Sequence, residues 1–320
     1  MKLIICDLAS RRRYTSREAA YIVSELIDDY GWRHIETDDL FHSAGTFEAL
    51  LLNRLRELPE VILFWEGYHL LNSRAPQIEA LACDKYIFCD DLHASQDRPR
   101  TDKLRAFSLC NTILSTFGYI FDQFFPELTN THNVVWVPHA ASGDFLIPYN
   151  AEAQNAIFLS GALSHFHYPL RLRMKALADS GAYPIAFQPH PGYHNNFDHE
   201  VGSTRVGPGF ARQMNLYRAA FTDSSKHKYA LAKYFEIPAT GALLLGDRAI
   251  SEPMKSQGFI EGVNYIGVSD ADLEEQVAYV LDERNHDELD EIRRRGQALV
   301  WQRHQTSHRA RQIDEICIRK

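Results

Sequence analysis

Short, uninterrupted apolar runs separated by amphipathic stretches constrain this chain more than any other feature of its sequence. "KLIIC" (2–6), "VILFW" (61–65), "KYIFC" (85–89), "TILS" (112–115) and "VVWV" (134–137) lack the alternation of a half-exposed strand. Runs of this kind read as strands buried on both faces, which occur in parallel sheets covered by helices. Between the first two, "TSREAAYIVSELIDDYG" carries apolar residues at helical spacing and stops at Gly31. It opens with Thr15 and Glu18 at the spacing of a capping box. The order is strand, helix, strand.

The segment "LIPYNAEAQN" (146–155), with a proline and polar residues, interrupts this pattern and predicts a linker. The pattern then restarts: strand "AIFLSG", helix "YPLRLRMKALADSG", strand "YPIAF", helix "GFARQMNLYRAA", strand "AAFTDS". Strands "ALLL" (242–245) and "NYIGV" (264–268) follow, and then a helix, "DADLEEQVAYVLDE", with Asp270 as its cap. Two Rossmann-like domains in tandem are expected, at 1–148 and 149–300. The basic tail 301–320 is helical in character and is expected to lie on the surface and cross back to the first domain.

Composition narrows the function classes. A formal net charge of -8 argues against a general positive field for nucleic acid, so no nucleic-acid partner is expected and any anion site must be local. The five cysteines are scattered without C-x-x-C spacing, which predicts neither a disulfide framework nor a zinc knuckle and suits a reducing cytoplasm. "MKLIICD" is too short for a signal segment, and no run reaches the ~18 apolar residues of a membrane span. A soluble cytoplasmic protein is expected, with peripheral membrane association left open.

In open α/β sheets ligands bind beyond the carboxyl ends of strands, so residues just after the expected strands are the first candidates for a site. Ser160 and Gly161 follow "AIFL", and Arg171 and Arg173 open the next helix; His190 in "QPHPGYHNNFD" follows "YPIAF"; Ser224, Ser225 and Lys226 follow "AAFT". Hydroxyls, cations and helix-start amides are the parts of a pyrophosphate cradle. Glu236 stands in an otherwise apolar run, "KYFEIPATGALLLGD". A buried carboxylate must find hydrogen-bond donors or protonate, and the hydroxyls of a ribose are suitable donors. Pro238 is expected to end or kink its helix just past Ile237, and Thr240 and Gly241 keep the following backbone open to a ligand. Plainer readings stay open: a helix-end carboxylate paired with lysine for Glu236, a solvated cationic face for Arg171, helix capping for the serines, and a loop brace for His190. Arg11, Arg12 and Arg13 follow the first strand, where they either meet an anionic acceptor or form a solvated loop.

Taken together, "KYFEIPATGALLLGD", the preceding "FTDSSKHKYALA" and the tail "HRARQIDEI" resemble the second domain of group-1 glycosyltransferases, in the branch that includes spore-maturation-like proteins. "FLSG...YPLR" (158–171), "HPGY" (190–193), "DDLH" (90–93) and "WVPHAAS" (136–142) are similar to the same branch. The resemblance implies a GT-B fold of two facing Rossmann-like domains, with a nucleotide-sugar donor on the second, a glycan or other hydroxyl acceptor on the first, and no catalytic metal or other cofactor. It implies that Glu236 binds the donor ribose. One departure stands out: where the wider superfamily carries a second acid, a Glu followed by seven residues and then Glu236, this chain has Lys228. Stereochemistry is therefore left open.

Metal-free departure of a nucleoside diphosphate needs fixed cations and amides, for which Arg171, Ser224, Ser225 and Lys226 are the candidates. An inverting reaction also needs a base, for which Asp91 or His93 is placed after "KYIFC". A nucleotide-sugar 2-epimerase and a degenerate binding module share the same architecture and remain alternatives. His190, His194 and His199 superficially suggest metal ligands, but Pro191 and Gly192 break the regular helix such a site needs, so no metal is expected.

Overall fold

In the computed structural model, which describes residues 1–318 apart from 96–97, 194–195 and 200–202, the apolar runs form two sheets. The first has strand order β2-β1-β3-β4-β5-β6, from β1 (Lys2–Ile5), β2 (Arg33–Ile35), β3 (Val61–Trp65), β4 (Asp84–Cys89), β5 (Thr112–Ser115) and β6 (Asn133–Trp136). The second has order β11-β10-β9-β7-β8, from β7 (Gln154–Gly161), β8 (Ile185–Pro189), β9 (Tyr217–Thr222), β10 (Leu243–Asp247) and β11 (Ile266–Val268). Every pairing is parallel. In each sheet the chain moves one way after the first strand and the other way after the second. A crevice therefore opens at a topological switch point, between β1 and β3 in one sheet and between β7 and β9 in the other.

The chain divides into two compact units: Met1–Arg12, Ala19–Pro138 and Arg309–Lys320 in the first, Arg13–Glu18 and His139–His308 in the second. The first unit packs Ile4, Val23, Leu26, Trp32, Leu63, Trp65 and Leu114 against Ile313 of the helix Thr306–Ile318. Asp314 of that helix accepts hydrogen bonds from the Lys2 ammonium at 2.5 Å and the Trp32 indole at 2.7 Å. The second unit's core joins Ile157, Leu159, Phe221, Leu243 and Leu245 of the sheet to Met174, Val277 and Ile292 of its covering helices. Burial on both faces explains why these strands read as continuous apolar runs.

One strand was not expected, and three local expectations changed. The edge strand β2 is only three residues long and two of them are polar, so it left no apolar run to read. Thr15 does not cap the helix Glu18–Asp28; its hydroxyl donates instead to the Gly192 carbonyl at 2.9 Å. Asp270 is exposed and pairs with Arg173, while the helix it was expected to cap begins at Leu273, and Asp272 binds the Ser269 amide and hydroxyl. Pro238 lies inside the helix Lys233–Ala239, which runs two residues past Ile237.

Candidate functional site

The switch point of the second unit is built around Gly161. Its φ of 122° lies in the region that L side chains rarely adopt, and a Cβ there would sit 2.7 Å from Arg171 Nη1 and 3.0 Å from Lys233 Nζ. Glycine thus lets two cations close over the end of β7. Lys233 donates to the Ser160 carbonyl at 3.0 Å, and Arg171 donates to the Ala162 carbonyl at 3.0 Å. Arg171 also binds Asp223, at the end of β9, through its guanidinium at 2.5 Å and its backbone amide at 3.2 Å. Both side chains are almost fully buried, so the expectation of a solvated cationic face at Arg171 does not hold; that description fits its neighbour Arg173. Burial, then the charge of Arg171, pushes the Lys233 ammonium down to about 7, against the pull of Glu236 and Asp223.

Glu236 lies one helical turn after Lys233 and is only 8% exposed. Among the described residues no donor hydrogen-bonds its carboxylate and no cation stands within ion-pair distance, so the lysine-paired alternative does not hold either. Burial pushes its carboxyl up to about 7, against the nearby positive charge of Lys233, while Glu18 adds to the rise. Its oxygens are not among the fully buried polar atoms that lack a partner, so the carboxylate keeps a narrow contact with solvent through which a hydrogen-bond donor from outside the protein can reach it.

Around Glu236 the segment Arg13–Glu18 supplies further charge. Glu18 accepts from His139 Nδ1 at 2.7 Å and from the Ala140 amide at 2.6 Å, and Arg17 forks onto both oxygens of Asp144 at 3.0 and 2.9 Å. Glu18 was expected to reach back into its own helix as a capping box; it reaches instead across to the residues after β6. A contact 121 residues distant in sequence leaves no local signature.

The remaining second-unit candidates are placed as follows. His190 accepts from the Gly192 amide at 3.0 Å and stacks on Tyr193; burial, then Lys233 and Arg171, pushes its imidazole down to about 4, so it is neutral at pH 7. Ser224 donates to Asp247 at 2.6 Å. No helix begins at the serines: residues 225–228 form a turn, with Ser225 at φ 59° and its hydroxyl accepting from the His227 amide. Helix capping is therefore not their role. Lys226 is exposed, its ammonium 2.9 Å from the centroid of the Phe166 ring. Thr240 is buried and donates to the Ile237 carbonyl at 2.8 Å, and the Gly241 carbonyl accepts from Arg293 at 3.1 Å. The first closes the last turn of the Lys233 helix on itself, and the second ties its end to the helix His286–Arg303.

In the first unit the carboxyl edge of the sheet carries Asp91 and His93, with Asp91 Oδ1 3.8 Å from His93 Nδ1. The buried Lys103 fixes this loop by donating to the carbonyls of Asp91 and His93. Crowding by the surrounding protein, then the charges of Asp90 and Glu66, pushes the Asp91 carboxyl up to about 6, although half its side chain remains exposed. Glu66, which the sequence did not single out, ends β3 at φ 59°, is nearly buried, and is gripped by Arg11 at 2.5 Å and Arg98 at 2.9 Å. Against the burial that would raise it, these two guanidinium groups hold its carboxyl below the usual range. A non-glycine residue in the left-handed region costs roughly 1–2 kcal/mol.

Among the described residues no group of three His, Cys, Asp or Glu side chains could hold a metal ion; His194 lies outside the described residues. None of the described helices is long and apolar enough to cross a membrane.

Two parallel, helix-flanked sheets of Rossmann type in one chain define a GT-B fold. Anabaena Alr3699/HepE, solved with UDP-glucose, superposes over 99% of this chain and 99% of its own, with a TM-score of 0.58 at 10% identity. Sucrose-phosphate synthase from Thermosynechococcus elongatus matches over 99% and 98%, with a TM-score of 0.61 at 10% identity. An α-glucosyltransferase solved with UDP and a 13-mer DNA containing an HMU base matches over 100% of both chains, again at 0.61 and 10%. The family described as glycosyl transferase-like matches residues 194–315. No curated protein sequence matches the chain.

Proposed function

We propose that this protein is a glycosyltransferase that moves a sugar from a nucleoside-diphosphate donor to a hydroxyl acceptor. The observation that carries this reading is the buried, unpaired carboxylate of Glu236 one turn from a lysine that overhangs Gly161. A ribose offers the hydroxyl donors that Glu236 lacks, and a diphosphate offers the negative charge that Lys233 needs to stay protonated. Arg171, tied to Asp223, shapes the turn and adds a fixed positive charge; His190, neutral at pH 7, faces the same cations. Charge that develops on the leaving diphosphate is stabilised by groups already in place, without reorganisation.

Two of the named structures, one solved with UDP-glucose and one with UDP, make a uridine donor the first to test. We assign the spore-maturation-like branch on the "FEIPATG" and "HPGY" motifs, place the enzyme in the cytoplasm, and put the acceptor on the first unit. There Asp91, with its carboxyl raised toward neutrality, is the candidate base of an inverting reaction, and His93 stands beside it.

The test is release of free nucleoside diphosphate when the full chain is incubated with UDP-, GDP-, CDP- and TDP-sugars, with and without added glycan acceptors. Acceptor-stimulated release supports transfer. Conversion of the donor sugar to its epimer without acceptor would replace this reading with the epimerase, and no turnover of any donor would leave only binding.

A further inference from the structure

We propose that the switch point of the first unit is a second anion site, in which Arg11 and Arg98, held by Glu66, take a singly charged oxyanion carried by the acceptor. The two arginines come from different loops. Arg11 ends the short helix Leu8–Arg11 after β1, Arg98 lies in the loop after β4, and Glu66 ends β3 between them. Open α/β sheets bind ligands at this crevice.

Each guanidinium spends one nitrogen on Glu66, Arg11 through Nη2 and Arg98 through Nη1. Among the described residues neither makes another side-chain hydrogen bond. A guanidinium carries five N–H donors in a planar fork matched to carboxylates and phosphates, so most of two forks remains to be used. The pair is close enough for each charge to be felt by the other, and a bound anion would relieve that repulsion. Their sequence neighbour Arg12 is exposed, so of the arginine run only Arg11 is turned inward in this unit.

The surrounding charges set the ligand's valence. Arg11, Arg98 and Lys103 against Glu66, Asp90 and Asp91 bring the crevice close to neutrality. Lys103 is buried on backbone carbonyls, Asp90 accepts from the Thr116 hydroxyl, and Asp91 stands beside His93. Two carboxylates at the rim favour a singly charged group over a doubly charged one. Assigning the anion to the acceptor rests on the transferase reading above; the binding of an anion does not.

The test is a titration of the full chain with inorganic phosphate at pH 6, followed by residue-resolved amide NMR, in the wild type, R98A and K233A. Saturating shifts are expected at the Glu66 and Gly67 amides in the wild type and in K233A, and at least tenfold weaker binding there in R98A. Arg98 is half-exposed, so R98A should keep the fold, which the same spectra verify; R98K, which keeps the charge and loses the fork, serves as the reserve variant and should bind severalfold more weakly. Absence of a saturating shift at Glu66 and Gly67, or one that R98A leaves unchanged, overturns the proposal. Failure of the donor reading shows separately, in a parallel titration with UDP, GDP, CDP and TDP at pH 8, as no response at Gly161.

Discussion

The two switch points are built alike up to a point and then diverge. In each, an arginine from the helix after the first strand grips a carboxylate at the end of the third strand: Arg11 on Glu66 in one unit, Arg171 on Asp223 in the other, both at 2.5 Å. The first unit adds Arg98, which completes the pairing of its buried glutamate. The second unit adds Lys233 and Glu236, whose carboxylate among the described residues has no donor at all. The same crevice therefore holds one glutamate that is satisfied by the protein and one that is not. The satisfied carboxylate is architecture; the unsatisfied one is where the proposed donor would bind.

That contrast predicts opposite consequences for removing the two kinds of carboxylate partner. The largest effects belong to the paired groups. R171A strands the buried Asp223 and should lower unfolding free energy by about 3–5 kcal/mol in urea titrations, while E66A leaves the partly exposed Arg11 and Arg98 without their carboxylate and should cost about 1–3 kcal/mol. A loss below about 1 kcal/mol in either would mean that the pair is not buried as described. E236L removes an unpaired buried carboxylate and should leave stability unchanged or raise it by about 1–3 kcal/mol at pH 8. A marked destabilisation by E236L would show that Glu236 is already satisfied within the protein.

Acidity sharpens the difference further. Glu236 has its folded carboxyl raised to about 7, so its favourable contribution to stability is present below the ordinary carboxylate range and is lost as pH rises through about 7. Ribose binding needs the ionised form. Nucleotide affinity should therefore fall up to about tenfold per pH unit below 7, and E236Q should flatten that limb. Lys233, lowered to about 7, contributes in the other direction: in the proposed complex its protonated form would hold the diphosphate, so affinity should also decline on the alkaline side, a limb that K233M removes. Isothermal titrations between pH 5.5 and 9 would read both limbs. The smallest effect is expected at R173A, whose pair with Asp270 is largely exposed; it should change stability by no more than about 0.5 kcal/mol, in contrast to R171A two residues away.

The sequence carried the sheets because parallel strands buried on both faces must be apolar throughout, and it carried Glu236 because a charge in such a run is conspicuous. It did not carry β2, whose exposed Arg33 and half-buried His34 leave only Ile35 as an apolar mark. The difference between Arg171 and Arg173 was equally invisible: both sit at the start of one amphipathic helix, and only Asp223, distant in the chain, buries the first of them. Lys233 carries no mark of its own in the sequence, and its meaning comes from Gly161 folding beneath it. Glu66 had a weak signal, a charged residue between a fully apolar strand and a glycine, where the two consecutive left-handed residues Glu66 and Gly67 now turn the chain. Glu18 misled for a definite reason, since capping-box spacing is local while its partners, His139 and Ala140, are not.

The central claim is that the Glu236 carboxylate is completed by the ribose of a nucleotide. Calorimetric titration of the wild type and E236Q with UDP, GDP, CDP and TDP at pH 8 measures this directly. At least one nucleoside diphosphate should bind the wild type, and E236Q, which swaps a charged acceptor for a neutral one, should weaken it by about tenfold or more with its urea midpoint preserved. Binding that is indifferent to E236Q, or no binding of any of the four, would contradict it.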